Sequence, residues 1–312
     1  MKPKLFLWGA CDLEYSVNID IIRNHFELNL FANSNFSLEM SVQPNSFFYN
    51  DGVAPSYTSL YLGNNEIAAN VHDSLSSTPI KITHNHLRIY KEILKFPYFE
   101  YFKNNVSDQD YLILSFSTEL YTKVFTKKNK FTLFPFMDML KNPADPLHWL
   151  YKDFISKPEF HLAFDSPTCL NLSNDILQDF ARDLYSIFGN RIIIVKTHLT
   201  NLVYCEKLGS VSKIEISCDN DIPFYSTSRI ILHNNDHNYA ARIATMIIKQ
   251  FKKCISDDIP VIELTQPVFL DLNHAHGYAP FHLHKFSSYK IGLLIYNELM
   301  LQIEKKKNER VE

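Results

Sequence analysis

Four apolar runs punctuate the chain, each bounded by polar residues: KLFLWG (4–9), DYLILSF (110–116), RIIIVKT (191–197) and PVIELT (260–265). A weaker one is FELNLFAN (26–33). Runs this short, without alternation, predict strands buried on both faces. Helical patterns lie between them. In SNDILQDFARDLYSIFGN (173–190), Ser173 can cap, Asp175 falls in the first turn and Gly189 suits the position just past the helix. HNYAARIATMIIKQFKKCI (237–255) has a broad apolar face and lysines near its end. HLRIYKEILKFPYFEYF (86–102) starts as a helix and is interrupted at Pro97, and SSYKIGLLIYNELMLQIEKKK (287–307) reads as a C-terminal amphipathic helix.

Strand and helix alternate. The pattern predicts a three-layer α/β/α domain with a mostly parallel sheet and helices on both faces. Residues 119–170 fit the alternation poorly. They read as an insertion or cap within a single domain spanning 1–312, with a hairpin around TKKNK, irregular proline-containing segments and then a helix.

In such sheets the ligand site lies beyond the carboxyl ends of the strands. That selects Gly9-Ala10-Cys11, Asn33-Ser34-Asn35, Ser117-Thr118-Glu119, Thr197-His198 and the stretch after Thr265. Arg88 and Lys196 are cationic candidates for the same crevice, each with a solvated surface charge as the plainer reading.

Composition narrows the chemistry. The chain has 312 residues, 46% hydrophobic and 21% charged, which is material for an ordinary globular core. The net charge is -3 and no long basic run appears before EKKKNER near the C-terminus, so a nucleic-acid partner is not expected. Only 7 glycines occur, in neither a GxGxxG nor a GxxxxGKS arrangement, so no nucleotide cofactor is expected. The 5 cysteines are scattered and odd in number, which fits reduced thiols in a cytoplasmic protein. The apolar stretch near the N-terminus is too short for a signal h-region, and no run approaches the roughly 20 residues of a membrane span.

The densest chemical text is PVFLDLNHAHGYAPFHLHKFSSY (267–289), with four histidines within 274–284. Asp271-Leu-Asn-His274 has the form DxxH. An aspartate three residues before a histidine can hold its Nδ1 and leave Nε2 to take a proton from a nucleophile. His282 is the rival base or a substrate clamp, and His276 and His284 read as surface residues of the same loop. A metal site from His274, His276, His282, His284, His233, Asp236 and His237 has no paired-ligand motif behind it, so none is expected. Cys11 reads either as a buried strand-end thiol or as a nucleophile on a tight turn. Trp8, Trp149 and the tyrosines could stack on sugar rings, against the plainer reading of core packing.

A small nucleophile after the first strand and a DxxH before the last helix resemble the SGNH (GDSL-like) hydrolase superfamily, in which a G-D-S motif and a D-x-x-H motif hold those places. Gly9-Ala10-Cys11 stands where G-D-S stands. More closely, WGAC (8–11), HAHGYAPFHL (274–283), DYLILSFSTELY and RIIIVKTHL are similar to a bacterial SGNH-like family of uncharacterised function, the DUF6270 type. The resemblance implies a flavodoxin-like arrangement and acyl-ester chemistry, by an esterase or O-acyltransferase, on a surface-polysaccharide or other glycan substrate such as a capsule. Cys11 would be nucleophile, His274 base and Asp271 its orienter, with no cofactor.

Glu14-Tyr15 replace that family's usual Arg-Asp pair, and the superfamily's glycine and Gly-x-Asn-Asp blocks are not matched. The oxyanion or substrate donors left are the Cys11 N–H, Ser34 or Asn35, and Ser117 or Thr118. Two alternatives remain open: a transferase on glycan or sugar-phosphate substrates that works through histidines, and a non-catalytic binding or assembly protein.

Overall fold

A computed structural model describes residues 2–9, 11–29, 98–116, 123–127, 130–133, 160–162, 167–198, 200, 202–205, 209–213, 237–271 and 283–309. Its main sheet has five strands: β1 (Lys4–Trp8), β2 (Glu27–Asn29), β3 (Tyr111–Leu114), β7 (Ile192–Val195) and β10 (Val261–Ile262). They lie in the order β2-β1-β3-β7-β10 and every pairing is parallel. Each strand sits inside an apolar run read from the sequence. This is an α/β fold.

The sheet's register sorts its side chains into two cores. Leu5 pairs with Tyr111, Phe6 with Leu112, Leu7 with Ile113 and Trp8 with Leu114, and Leu112 to Leu114 pair with Ile192 to Ile194. Successive strand residues point to opposite faces. Phe6, Trp8, Leu112, Leu114, Ile192 and Ile194 therefore enter one cluster, and Leu5, Leu7, Tyr111, Ile113, Ile193 and Val195 enter the other. A strand wanted on both faces has no polar position to spare, and this is why these runs do not alternate.

Three helices cover the first face: α3 (Tyr98–Asn105), α4 (Pro167–Phe188) and α5 (His237–Ile255). The chain's aromatic surplus concentrates here. Phe6, Phe102 and Phe188 meet edge to face with centroids 5.1 to 5.8 Å apart, and Trp8 lies 5.1 Å from both Tyr98 and Phe180. Such pairs add about 0.5–1.5 kcal/mol each beyond area burial. The second face carries α1 (Cys11–Val17), α2 (Asp20–His25) and α6 (Lys285–Glu309).

The α4 helix begins seven residues earlier than a cap at Ser173 predicts. Pro167 opens it, where a missing N–H costs nothing, so Ser173 and Asp175 lie inside the helix rather than at its start. Its other end is as expected. Gly189 takes φ +57°, and its N–H donates to Tyr185 O at 2.8 Å.

Two smaller sheets complete the described chain. β4 (Lys123–Lys127) pairs antiparallel with β5 (Lys130–Leu133), and on its other side with β6 (Phe160–Leu162). This is the hairpin expected around TKKNK, and among the described residues none of its strands joins the main sheet. β8 (Leu202–Cys205) and β9 (Ser210–Lys213) form an antiparallel pair. Among the described residues no helix is long and apolar enough to cross a membrane.

The amino edge of the sheet is locked by a carboxylate. Asp110, just before β3, is buried and accepts from the backbone N–H of Lys4 (2.6 Å) and of Ser107 (2.7 Å). Arg191, just before β7, donates to the carbonyls of Ser107, Asp110 and Ile187. The starts of three strands are thereby fixed relative to one another.

The α1–α6 contact is the tightest helix packing on the second face. A Cβ on Gly292 of α6 would overlap Ser16 O of α1 and fall 2.7 Å from Ile19 Cδ1. In an ordinary helix interior Gly→Ala stabilises by about 1 kcal/mol. Here Gly292→Ala is expected to lower the unfolding free energy by about 1–3 kcal/mol, read by urea denaturation, because the two helices must part. A stabilised variant would show that they do not touch.

Candidate functional site

Several of the site residues read from the sequence fall at the carboxyl edge of the sheet. The strand order reverses between β1 and β3: the chain goes from β1 to one side for β2, then to the other side for β3, β7 and β10. The helices α1 and α4, which follow β1 and β3, lie on opposite faces, and in sheets of this kind ligands bind beyond the strand ends at such a switch.

Gly9 follows β1 directly. A Cβ there would lie 3.0 Å from Ser115 Cβ and 3.1 Å from Leu13 Cδ2, so the absent side chain lets β1 run close against the end of β3. Cys11 is the first residue of α1, and its described part is the backbone. The predicted strand and the cysteine beyond it are thus a strand and the first residue of a helix, and Ala10 between Gly9 and Cys11 lies outside the described residues.

Next to Gly9 across the sheet, Ser115 and Thr197 are the first polar residues past β3 and β7 on the α1/α6 face. Both are buried, at 2% and 5% exposure, and their hydroxyls share a hydrogen bond of 3.1 Å. The Ser115 N–H donates to Trp8 O at 2.7 Å, which extends the β1–β3 ladder by one residue. The sequence reading placed the polar end of β3 two residues later, at Ser117 and Thr118. Ser115 sits inside the apolar run and carries no motif, so only the register points to it.

The segment carrying Asp271 reaches the same edge. After β10 the chain is tied down stepwise. Leu264 N–H donates to His198 Nε2 (2.9 Å), Thr200 Oγ1 to Val268 O (2.9 Å), Phe269 N–H to Ser287 Oγ (3.0 Å) and Leu270 N–H to Leu202 O (2.8 Å). Leu270 also bridges to Val203 and Leu283. Asp271 follows at once, and the chain re-enters the described residues at Leu283, two residues before α6.

The direction of α6 follows from its contacts. Lys290 near its start donates to Gln266, just past β10 (2.7 Å), and Lys306 near its end reaches the carbonyl of Asp108 at the amino edge. It runs from the carboxyl edge downward, as α1 does. Ser16, where the helices touch, lies five residues or about 7.5 Å below the start of α1, and Gly292 seven residues or about 10.5 Å below the start of α6. Both helices therefore begin at similar height on one face, with Cys11 opening one and the 271–284 segment leading into the other.

His284 was expected at the surface and is buried. It precedes α6, accepts from the Phe286 N–H at Nδ1 (3.4 Å) and packs beside Tyr204 and Phe286, because the first turn of the helix needs an acceptor there. Lys196 pairs with Glu263 at 2.5 Å, its side chain 17% exposed, so its charge is held by a partner across β7 and β10. Cys254 is a partly buried thiol whose pKa is pushed up by burial, against the lowering by Arg182 and Lys253, which makes it a poor nucleophile.

His274, His282, His276, Ser34, Asn35, Ser117, Thr118, Arg88, His233 and Asp236 lie outside the described residues. Among the described residues no group of three or more His, Cys, Asp or Glu side chains is placed to hold a metal ion.

The buried hydroxyl pair can be tested directly. In a double-mutant cycle of Ser115→Ala and Thr197→Val, unfolding free energies are expected to show a coupling of about 1 kcal/mol. A coupling of zero would mean that the two hydroxyls do not bond.

No family model matches the chain, and no curated protein and no solved structure matches it either.

Proposed function

We propose that the protein is an SGNH-like enzyme of acyl-ester chemistry, an esterase or O-acyltransferase acting on an O-acylated glycan. One observation carries the reading. Cys11 opens α1 and the Asp271-x-x-His274 segment leads into α6, and these two helices begin on one face of one sheet edge. The strand order supports it as well, since β2-β1-β3-β7-β10 is the 2-1-3-4-5 order of flavodoxin-like sheets, whose ligands bind at the switch beside β1 and β3.

In this reading Cys11 Sγ attacks the acyl carbonyl carbon and His274 takes the thiol proton. The tetrahedral intermediate collapses to a thioester, and the departing glycan oxygen receives that proton from His274. Water or an acceptor hydroxyl then attacks the thioester, with His274 as base again. Asp271 holds the imidazole in the tautomer that leaves Nε2 free to accept. The Cys11 N–H is one oxyanion donor, and the second is sought among Ser34, Asn35, Ser117 and Thr118. A cytoplasmic place in the synthesis of a bacterial surface polysaccharide is part of the proposal.

The test is turnover of p-nitrophenyl acetate and of an O-acetylated polysaccharide. Cys11→Ala is expected to abolish it, His274→Ala to cost about 10³-fold or more in kcat, and Asp271→Asn somewhat less. An active Cys11→Ala variant, with activity lost instead in His274→Ala or His282→Ala, would overturn the thiol mechanism in favour of a histidine-based transferase. Glycan binding without turnover of any ester would point to a binding or assembly protein.

A further inference from the structure

His198 is held in an unusual state. It follows β7 by three residues, at the carboxyl edge. Its Nε2 accepts the backbone N–H of Leu264 at 2.9 Å, so that nitrogen carries no proton. The proton of the neutral ring must then sit on Nδ1. That atom is buried and, among the described residues, meets no partner in good hydrogen-bonding geometry, although a backbone group of Lys196 also acts on the ring. A buried donor left unpaired is rare enough in folded proteins to require a reason.

The reason lies in what the other nitrogen holds. Leu264 is the first tie of the 264–271 segment after β10, and the later ties, at Val268, Phe269 and Leu270, fasten the same segment to β8 and to the start of α6. We propose that the neutral imidazole of His198 positions this segment, and that protonation of the ring releases it. A proton on Nε2 turns the bond to Leu264 into two donors facing each other, so the latch exists only in the neutral form.

Burial sets the direction, and the surrounding charges modify it. Burial pushes the His198 pKa below the ordinary value of 6.5; Glu263 on the neighbouring strand opposes that shift, and Lys196 on its own strand adds to it. Among the described residues these are the charged groups acting on the ring, and they are already paired with each other. On protonation, Glu263 is the acceptor toward which the imidazolium would turn, in competition with Lys196. Because the native value is depressed, the latch's contribution is complete above the ordinary value. It is lost as the pH falls below 6.5 toward the lower native value.

The inference stands apart from the role of Cys11, because its readout is a backbone amide and not turnover. The experiment is amide hydrogen exchange and an NMR titration of His198 on the full chain. The protection factor of Leu264 is expected to hold near neutral pH and to fall by about tenfold or more by about pH 5, following the His198 ring resonances, while Ile113 in β3 stays protected. His198→Gln places an acceptor near Nε2 that does not titrate, so Leu264 should stay protected at both pH values. Glu263→Gln removes the carboxylate that favours the cation, so the midpoint should move to lower pH. Protection at Leu264 that is independent of pH in the unaltered protein would overturn the proposal. So would the same acid loss in His198→Gln, or an unmoved midpoint in Glu263→Gln. Should His198→Gln fail to fold, the Glu263→Gln midpoint decides alone.

Discussion

Burial of β1, β3 and β7 on both faces is the constraint from which the other features follow. A parallel strand covered on two sides must be apolar at every position, and consecutive residues must serve different cores. Phe6 and Trp8 face the aromatic layer under α3, α4 and α5, while Leu5 and Leu7 face α1, α2 and α6. The same alternation continues past the strand ends. Gly9, Ser115 and Thr197 fall on the α1/α6 side because they are two residues beyond Leu7, Ile113 and Val195. The polar row at the carboxyl edge is an extension of the core's own periodicity.

The two edges of the sheet divide the work. At the amino edge, Asp110 and Arg191 are spent on backbone groups, which sets the strand starts. At the carboxyl edge some polar groups pair side chain to side chain, as Ser115 does with Thr197 and Lys196 with Glu263, while His198, Thr200 and Ser287 hold the backbone of the segment after β10. The absence of a side chain at Gly9 and at Gly292 serves that edge too: one lets β1 close on β3, the other lets α6 close on α1. With those approaches the starts of α1 and α6 stand side by side.

Much of the fold was legible in the sequence. All five strands of the main sheet lie within the apolar runs, His237–Ile255 is a helix over the full predicted span, and Gly189 ends α4 as its place in the pattern implied. These features depend on local chemistry: the period of apolar positions, a residue free to take positive φ, a hairpin around TKKNK. The start of α4 was misread because Ser173 looks like a cap, whereas the helix had already begun at Pro167. Of the candidate site, Cys11 and Asp271 were found as motif residues. His198 was noted only for its strand-end position, and Ser115 was hidden within an apolar run. His284 was put at the surface because nothing local says that a histidine will cap a buried helix start.

By itself, the sequence determined the five strands of the main sheet, the helices at His237–Ile255 and Lys285–Glu309 to within a few residues, and that strands and helices build an α/β sheet, because those outcomes follow from side-chain periodicity over a few residues. The tertiary structure alone decided the strand order, the sharing of residues between two cores and the meeting of α1 and α6. It also decided the hold of His198 on Leu264, a contact between residues 66 positions apart. Such contacts depend on which surfaces close against each other in space, and a one-dimensional pattern does not carry that information.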